Sequence, residues 1–185
     1  MLNVGVACAG LIVTVFATSS ASKVHSRRAF ADFRRSTRVM FTALVGARFA
    51  TAAAAAVIAW AVVVAEMVTV SLVVFPATAA AGFGLACVVL VGLSMAMAAT
   101  VRSRQAVSCR CFGASAVPVK SWHLWRNALL LAVAVGGLVA GAVKPDGSVT
   151  PTASVIAVAV GVVVAVLLIR FDDLVELLRP SRIGP

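Results

Sequence analysis

The sequence predicts an all-α membrane protein, a bundle of about five transmembrane helices. Three observations point there. Of 185 residues, 62% are hydrophobic and only 12% are charged, against about 25% charge in a soluble domain. The mean hydropathy is +1.09. The apolar residues also come in continuous runs, without the alternation that marks the strands of a membrane barrel.

A helix that crosses a bilayer needs about 20 mostly apolar residues. Five stretches meet that length: about 4–22, 53–75, 79–100, 124–143 and 152–169. The first has no basic residues before it and its charges come after it, so it reads as a retained span rather than a cleaved signal peptide. The second opens on "TAAAAAV", which leaves its start open by several residues, and Pro76 ends it. "PATAAA" is then short enough to make spans two and three a hairpin, and "KPDG" at 144–147 turns span four into span five. Residues 1–143 thus form one transmembrane domain, followed at 144–185 by the fifth span and a short tail.

Two segments break the apolar pattern. In 22–44, Phe30, Phe33, Met40, Phe41 and Leu44 recur at roughly helical spacing while arginines fill the other faces. That pattern predicts a basic amphipathic helix on the membrane surface. The tail "RFDDLVELLRP" repeats it, with Phe171, Leu174, Val175 and Leu178 on one stripe. Contact with the lipid bilayer accounts for both without a partner protein.

Charge sets the orientation. A net charge of +10 suggests nucleic acid in a soluble protein, but here the basic residues lie between apolar runs, as topology signals do. No nucleic-acid partner is expected. Lys23, Arg27, Arg28, Arg34, Arg35, Arg38 and Arg48 separate spans one and two. Arg102, Arg104, Arg110, Lys120 and Arg126 surround the loop after span three, and Arg170, Arg179 and Arg182 follow span five. With the N-terminus outside and the C-terminus inside a cytoplasmic membrane, every basic residue except Lys144 is cytoplasmic. Trp60, Trp122 and Trp125 lie near that same face, as interface anchors do. The arrangement also puts "SCRCFG", 108–113, in the cytoplasm, where thiols are normally kept reduced.

Cys109 and Cys111 are the residues best placed for chemistry. Arg110 lies between them, with Arg102, Arg104 and Lys120 nearby, and neighbouring cations favour the reactive thiolate. A disulfide across one residue closes a small strained ring, the labile and catalytic kind. Gly113, after Phe112, lets the chain turn back to the bilayer. The spacing alone leaves three readings open: a redox pair, two metal ligands, or two small residues without chemistry. A closed zinc site needs four ligands, and His123 adds only a third while His25 belongs to another loop; no metal site is assigned. His123 itself reads as an interfacial residue between Trp122 and Trp125. Cys8 and Cys87 fall inside apolar runs, where cysteine behaves as a small hydrophobe.

Glu66 stands near the middle of span two, where an acidic residue costs on the order of 3 kcal/mol. Such a carboxylate marks a partner or a pathway. Its candidate partners are Thr69, Ser71 or a neighbouring helix; its candidate roles beyond structure are to carry protons or to orient a quinone or partner helix. Asn127, in the first turn of span four, is suited to hydrogen bonding between helices. "GLVAG" at 137–141 has GxxxG spacing, a common occurrence in Gly- and Ala-rich spans.

With these residues in place, the chain resembles the methylamine utilisation protein MauE family, relatives of the DoxX-type membrane proteins. The resemblance rests on Lys23 closing span one, Glu66 inside span two, and "SCRCFGASAVPVKSWHLWRNALLL". There the family pattern of Cys-x-Cys-Phe-Gly, a proline and Arg-Asn is met by Cys109, Cys111, Phe112, Gly113, Pro118, Arg126 and Asn127. The resemblance implies a four-helix DoxX-like core plus a C-terminal span. It also implies a multi-pass protein needed to make active methylamine dehydrogenase, through processing, transport or disulfide maturation of that enzyme's small, cysteine-rich subunit. The implied partners are a thioredoxin-like redox protein and the exported dehydrogenase subunit. Cys109 and Cys111 are then the redox pair, supported by Arg110, Phe112, Gly113, Arg126, Asn127 and Glu66. Such a protein is more an accessory of maturation than a classical enzyme, with no resident cofactor required, although a quinone is compatible. Two rival functions are carried forward: a proton- or cation-coupled transporter working through Glu66, and a scaffold without chemistry.

Overall fold

The computed structural model describes residues 2–103, 121–142 and 151–178. These form six helices and, among the described residues, no strand: α1 (Leu2–Val24), α2 (Arg27–Val45), α3 (Ala52–Val74), α4 (Ala79–Arg102), α5 (Ser121–Ala142) and α6 (Pro151–Leu178). All but α2 are long and apolar enough to cross a membrane. The all-α bundle with five candidate spans is as the sequence predicts.

Caps settle the boundaries that composition left open. The Thr51 side chain accepts a hydrogen bond from the Ala54 N–H at 3.1 Å, which starts α3 at Ala52 despite its alanine run. Ser26 does the same for α2 through Ala29 N–H at 3.1 Å, so the amphipathic segment begins after a break at His25–Ser26. Gly46 closes α2 with φ +90°, a conformation that glycine adopts without strain. Phe75 is extended before Pro76, as a residue preceding proline prefers, and α3 stops there. Pro151 opens α6, a position where its missing N–H costs nothing. That helix runs unbroken to Leu178, so the tail's helical part continues the fifth span.

The direction of each helix follows from its contacts. Gly82 of α4 sits against Val73 of α3, and an added Cβ there would come within 2.6 Å of a Val73 methyl. Gly137 of α5 faces the Phe83 ring of α4, while Asn127 of α5 reaches Ser94 of α4. Neighbouring helices α3–α4 and α4–α5 are therefore antiparallel. Gly5 lies beside Ala140, which sets the start of α1 at the end of α5.

The apolar core gathers Ile12, Val15 and Phe16 of α1, Phe83, Ala86 and Leu90 of α4, Leu130 and Ala134 of α5, Val73 of α3 and Ala165 of α6. Outside it, Val57, Val64, Val88, Val139, Val155 and Val163 point away from the protein, as lipid-facing residues do. In hydrocarbon no hydrophobic force draws helices together, so close approach through small residues takes its place. The α1–α6 contact is built this way. On α6, Ala157, Gly161 and Ala165 recur every four residues and all are buried. A Cβ on Gly161 would collide with the Ala7 carbonyl oxygen and come within 2.9 Å of the Leu11 nitrogen; one on Gly10 would sit 3.0 Å from the Val158 carbonyl oxygen. The GxxxG pair at 137–141 is used only at Gly137, since Gly141 has open space around it.

Helix α2 lays part of its apolar stripe on protein, while Leu44 at its end stays exposed. Phe33, Thr37 and Met40 are buried, and Phe33 packs on Ala59 and Val63 of α3. The Phe30 ring lies 4.6 Å from that of Trp60. The helix rests its stripe on protein, against α3 and α4, while Arg27, Arg28, Arg34 and Arg35 stay exposed. An apolar stripe has the same period whether lipid or protein covers it.

Replacing Gly161 by Val should lower stability by about 1–3 kcal/mol, the usual cost of overpacking, whereas Gly84→Ala, with nothing near its added carbon, should be close to neutral. Unfolding midpoints in a common detergent test the contrast.

Candidate functional site

Along α1 and α2, partners on α3 and just before it fall broadly in descending order: Lys23 with Glu66, Phe30 with Trp60, Phe33 with Ala59 and Val63, and Arg38 with Ala50, two residues ahead of α3. The path through α1 and α2 is thus antiparallel to α3. Long side chains on a helix lean toward its N-terminus. On antiparallel helices, Lys23 and Glu66 accordingly lean toward each other. Their ion pair closes at 2.5 Å, with 1% of Lys23 and 2% of Glu66 exposed.

The Lys23 ammonium also donates to Ser19 Oγ at 2.7 Å, and Ser19 Oγ donates to Glu66 Oε1 at 3.1 Å. The Phe33 ring centroid lies 5.0 Å from Lys23 Nζ, within range of a cation–π attraction. One cation therefore joins α1, α2 and α3. Of the partners the sequence suggested for Glu66, the neighbouring helix is the right one. The Thr69 hydroxyl donates to the Ala65 carbonyl and the Ser71 hydroxyl to that of Met67, each within α3. Ser19 was not singled out from sequence, although its i, i+4 spacing to Lys23 puts both on one face.

A second polar group lies in α5. Asn127, 1% exposed, donates from Nδ2 to Ser94 Oγ at 3.3 Å, tying α5 to α4 as expected of a polar residue between helices. Arg126 is buried beside it in sequence, and so is His123, which corrects its reading as an interfacial residue. Among the described residues, Glu66 Oε2 and Asn127 Oδ1 are buried acceptors without a hydrogen-bond donor.

Buried polar side chains concentrate toward one end of the bundle: Ser19, Ser20 and Lys23 late in α1, Thr100 late in α4, and His123, Arg126 and Asn127 early in α5. The 104–120 connection joins α4 to α5 at that end. Cys109, Arg110, Cys111, Phe112 and Gly113 lie in this connection, outside the described residues. No group of three or more His, Cys, Asp or Glu suited to a metal occurs among the described residues.

Comparison with known families now bears on the whole arrangement. The family described as methylamine utilisation protein MauE matches residues 1–140, from α1 almost to the end of α5. The chain belongs to the MauE family. The match encloses Lys23, Glu66, the Cys-Arg-Cys segment and Arg126–Asn127, and leaves α6 outside. No curated protein and no solved structure matches the chain. A MauE-family protein thus carries, within its matched region, a buried ion pair locking three helices and a polar pairing of α4 with α5, the two helices that flank its cysteine segment in sequence.

Breaking a buried ion pair on one side strands a charge, at about 3–5 kcal/mol, while replacing both partners with apolar residues is often neutral. Lys23→Met and Glu66→Met should each destabilise by that order, and the double variant should recover most of the loss. A double-mutant cycle of unfolding free energies checks this; additive losses would mean the two residues do not act as a pair.

Proposed function

We propose that this MauE-family membrane protein serves the maturation of a partner enzyme by thiol–disulfide exchange at Cys109 and Cys111. The observation that carries the proposal is the family match, whose residues 1–140 include both cysteines. The substrate class is a small cysteine-rich subunit such as that of methylamine dehydrogenase, and the electron acceptor is a thioredoxin-like disulfide protein.

The exchange balances as follows. A substrate thiolate attacks the Cys109–Cys111 disulfide, forming a mixed disulfide and releasing one cysteine of the pair as thiolate. A second substrate thiol resolves the mixed bond, leaving the substrate oxidised and both cysteines reduced. The disulfide of the thioredoxin-like protein then takes the two electrons and restores the pair. Arg110, Arg102 and the other cations in sequence around the pair favour the thiolate at each attack. The α4–α5 hairpin, fastened by Asn127 and Ser94, supplies a fixed base for the segment. Glu66, held by Lys23 and Ser19, supports the bundle in this reading rather than acting as a transport carboxylate, since its charge is already matched.

In this reading the cysteine segment faces the cytoplasm and the N-terminus lies outside, as the distribution of basic residues favours. Thiol exchange there reaches the substrate before export or relays electrons from that side. Labelling of Cys109 and Cys111 by a membrane-impermeant thiol reagent should therefore require opened membranes; labelling in intact cells would reverse the orientation.

Cys109→Ser and Cys111→Ser should each abolish partner maturation, and one of them should accumulate a reducible mixed disulfide on a non-reducing gel. Cys8→Ser and Cys87→Ser should leave activity unchanged. Full activity in the double variant at 109 and 111 would end the proposal.

A further inference from the structure

Helix α2 carries five arginines, Arg27, Arg28, Arg34, Arg35 and Arg38, against one acidic residue, Asp32. At 3.6 residues per turn the five fall within a single arc of about 120°, with Ala31 near its middle. That arc lies opposite Phe33 and Met40, which are buried against the rest of the bundle. All five arginines and Ala31 are exposed. Asp32, 3.8 Å from Arg35, offsets one of these charges at most.

Charge of the opposite sign is concentrated at the end of α6. Three of the chain's six acidic residues, Asp172, Asp173 and Glu176, fall there within 172–176. The height of that segment follows from the packing of α6 on α1. The end of α5 lies beside the start of α1, at Gly5 and Ala140, and α6 crosses back from that end. Gly10 meets Val158, and further along α6 Ala165, Leu168 and Ile169 join the core that holds Val15 and Phe16. The two helices therefore run parallel and rise equally per residue. Counting on from the Gly10–Val158 contact, 172–176 come level with 24–28, the end of α1 and the first arginines of α2.

A bilayer gives every copy of a chain the same depth and the same orientation. Charged segments on two copies can meet only at one level, and these two are level. Within a copy they sit on different neighbours: α6 packs on α1, while α2 rests on α1, α3 and α4, and Arg27 and Arg28 stay exposed. We propose that copies of this chain associate in the membrane, the basic stripe of α2 on one copy meeting residues 172–176 of α6 on the next. A second copy satisfies both segments at once, whereas an anionic lipid surface would satisfy the arginines and repel the acids. Opposite charges also attract more strongly beside the low dielectric of a bilayer than in bulk water. The contact needs neither Cys109 nor Cys111, so it stands independently of the thiol chemistry.

Energy transfer between donor- and acceptor-labelled full chains, in phosphatidylcholine vesicles at low protein density, tests the proposal. The wild-type chain should show transfer well above that of randomly dispersed chains. One variant carries Arg27→Glu with Arg28→Glu, the other Asp172→Lys, Asp173→Lys and Glu176→Lys. Each alone sets like charges against each other and should fall to the random level. Mixing the two, one with donor and the other with acceptor, restores opposite charges at the contact and should recover most of the wild-type transfer. That recovery also shows that both variants are folded. Wild-type transfer at the random level would overturn the proposal, as would transfer that requires phosphatidylglycerol, the outcome expected of headgroup binding. So would full transfer in either variant alone, or no recovery in a mixture whose helix content matches the wild type.

Discussion

One ammonium group holds the described structure in register. Lys23 Nζ meets a carboxylate on α3, a hydroxyl on its own helix and an aromatic face on α2. In a medium of low dielectric a lone charge is expensive, and its partner is what makes it tolerable. The arrangement leaves little freedom. Sliding α1 along α3 by one turn would separate the charges, and moving α2 would uncover the cation. Packing of Val, Ala and Leu in hydrocarbon provides no such penalty for slippage, because one apolar surface serves nearly as well as the next. The ion pair thereby gives an otherwise uniform bundle a defined alignment.

The rest of the bundle divides by chemistry. One part is dry and close-packed, centred on Ile12, Phe16, Phe83 and Leu130 and sealed by α6 through Gly161. The other carries the polar interior of Ser19, Lys23, Thr100, His123, Arg126 and Asn127, at the end where the cysteine-bearing connection joins α4 to α5. The connection at the polar end starts and finishes on packed helices, which Asn127 and Ser94 tie to each other. The family match covers this end in full and stops before α6, the helix that packs against α1.

Much of this was legible in the sequence because membrane constraints are blunt. Length and apolarity alone found five spans to within a few residues at most ends, and Pro76 marked the turn between α3 and α4. Glu66 and Asn127 stood out because polar residues in hydrocarbon have to be partnered. Other features were hidden for physical reasons. The periodicity of 27–45 shows an apolar face but not what covers it, so the packing of Phe33 and Met40 on protein was not visible. His123 lies between two tryptophans in sequence, yet helical geometry turns it inward and Trp125 outward. Small residues abound in the spans, so spacing alone did not single out the Ala157–Gly161–Ala165 row that carries the tight α1–α6 contact. The link from Lys23 to Glu66 spans 43 residues and becomes visible only once α1 and α3 are side by side.

The central claim is that Lys23 and Glu66 are in direct contact inside the bundle, and through-space nitrogen–carbon solid-state NMR in lipid bilayers tests it most directly. A cross-peak between Lys23 Nζ and Glu66 Cδ, absent when Glu66 is replaced by Ala, is the predicted result. Full incorporation of both labels with no such cross-peak, in protein whose helices are otherwise intact, would contradict the account.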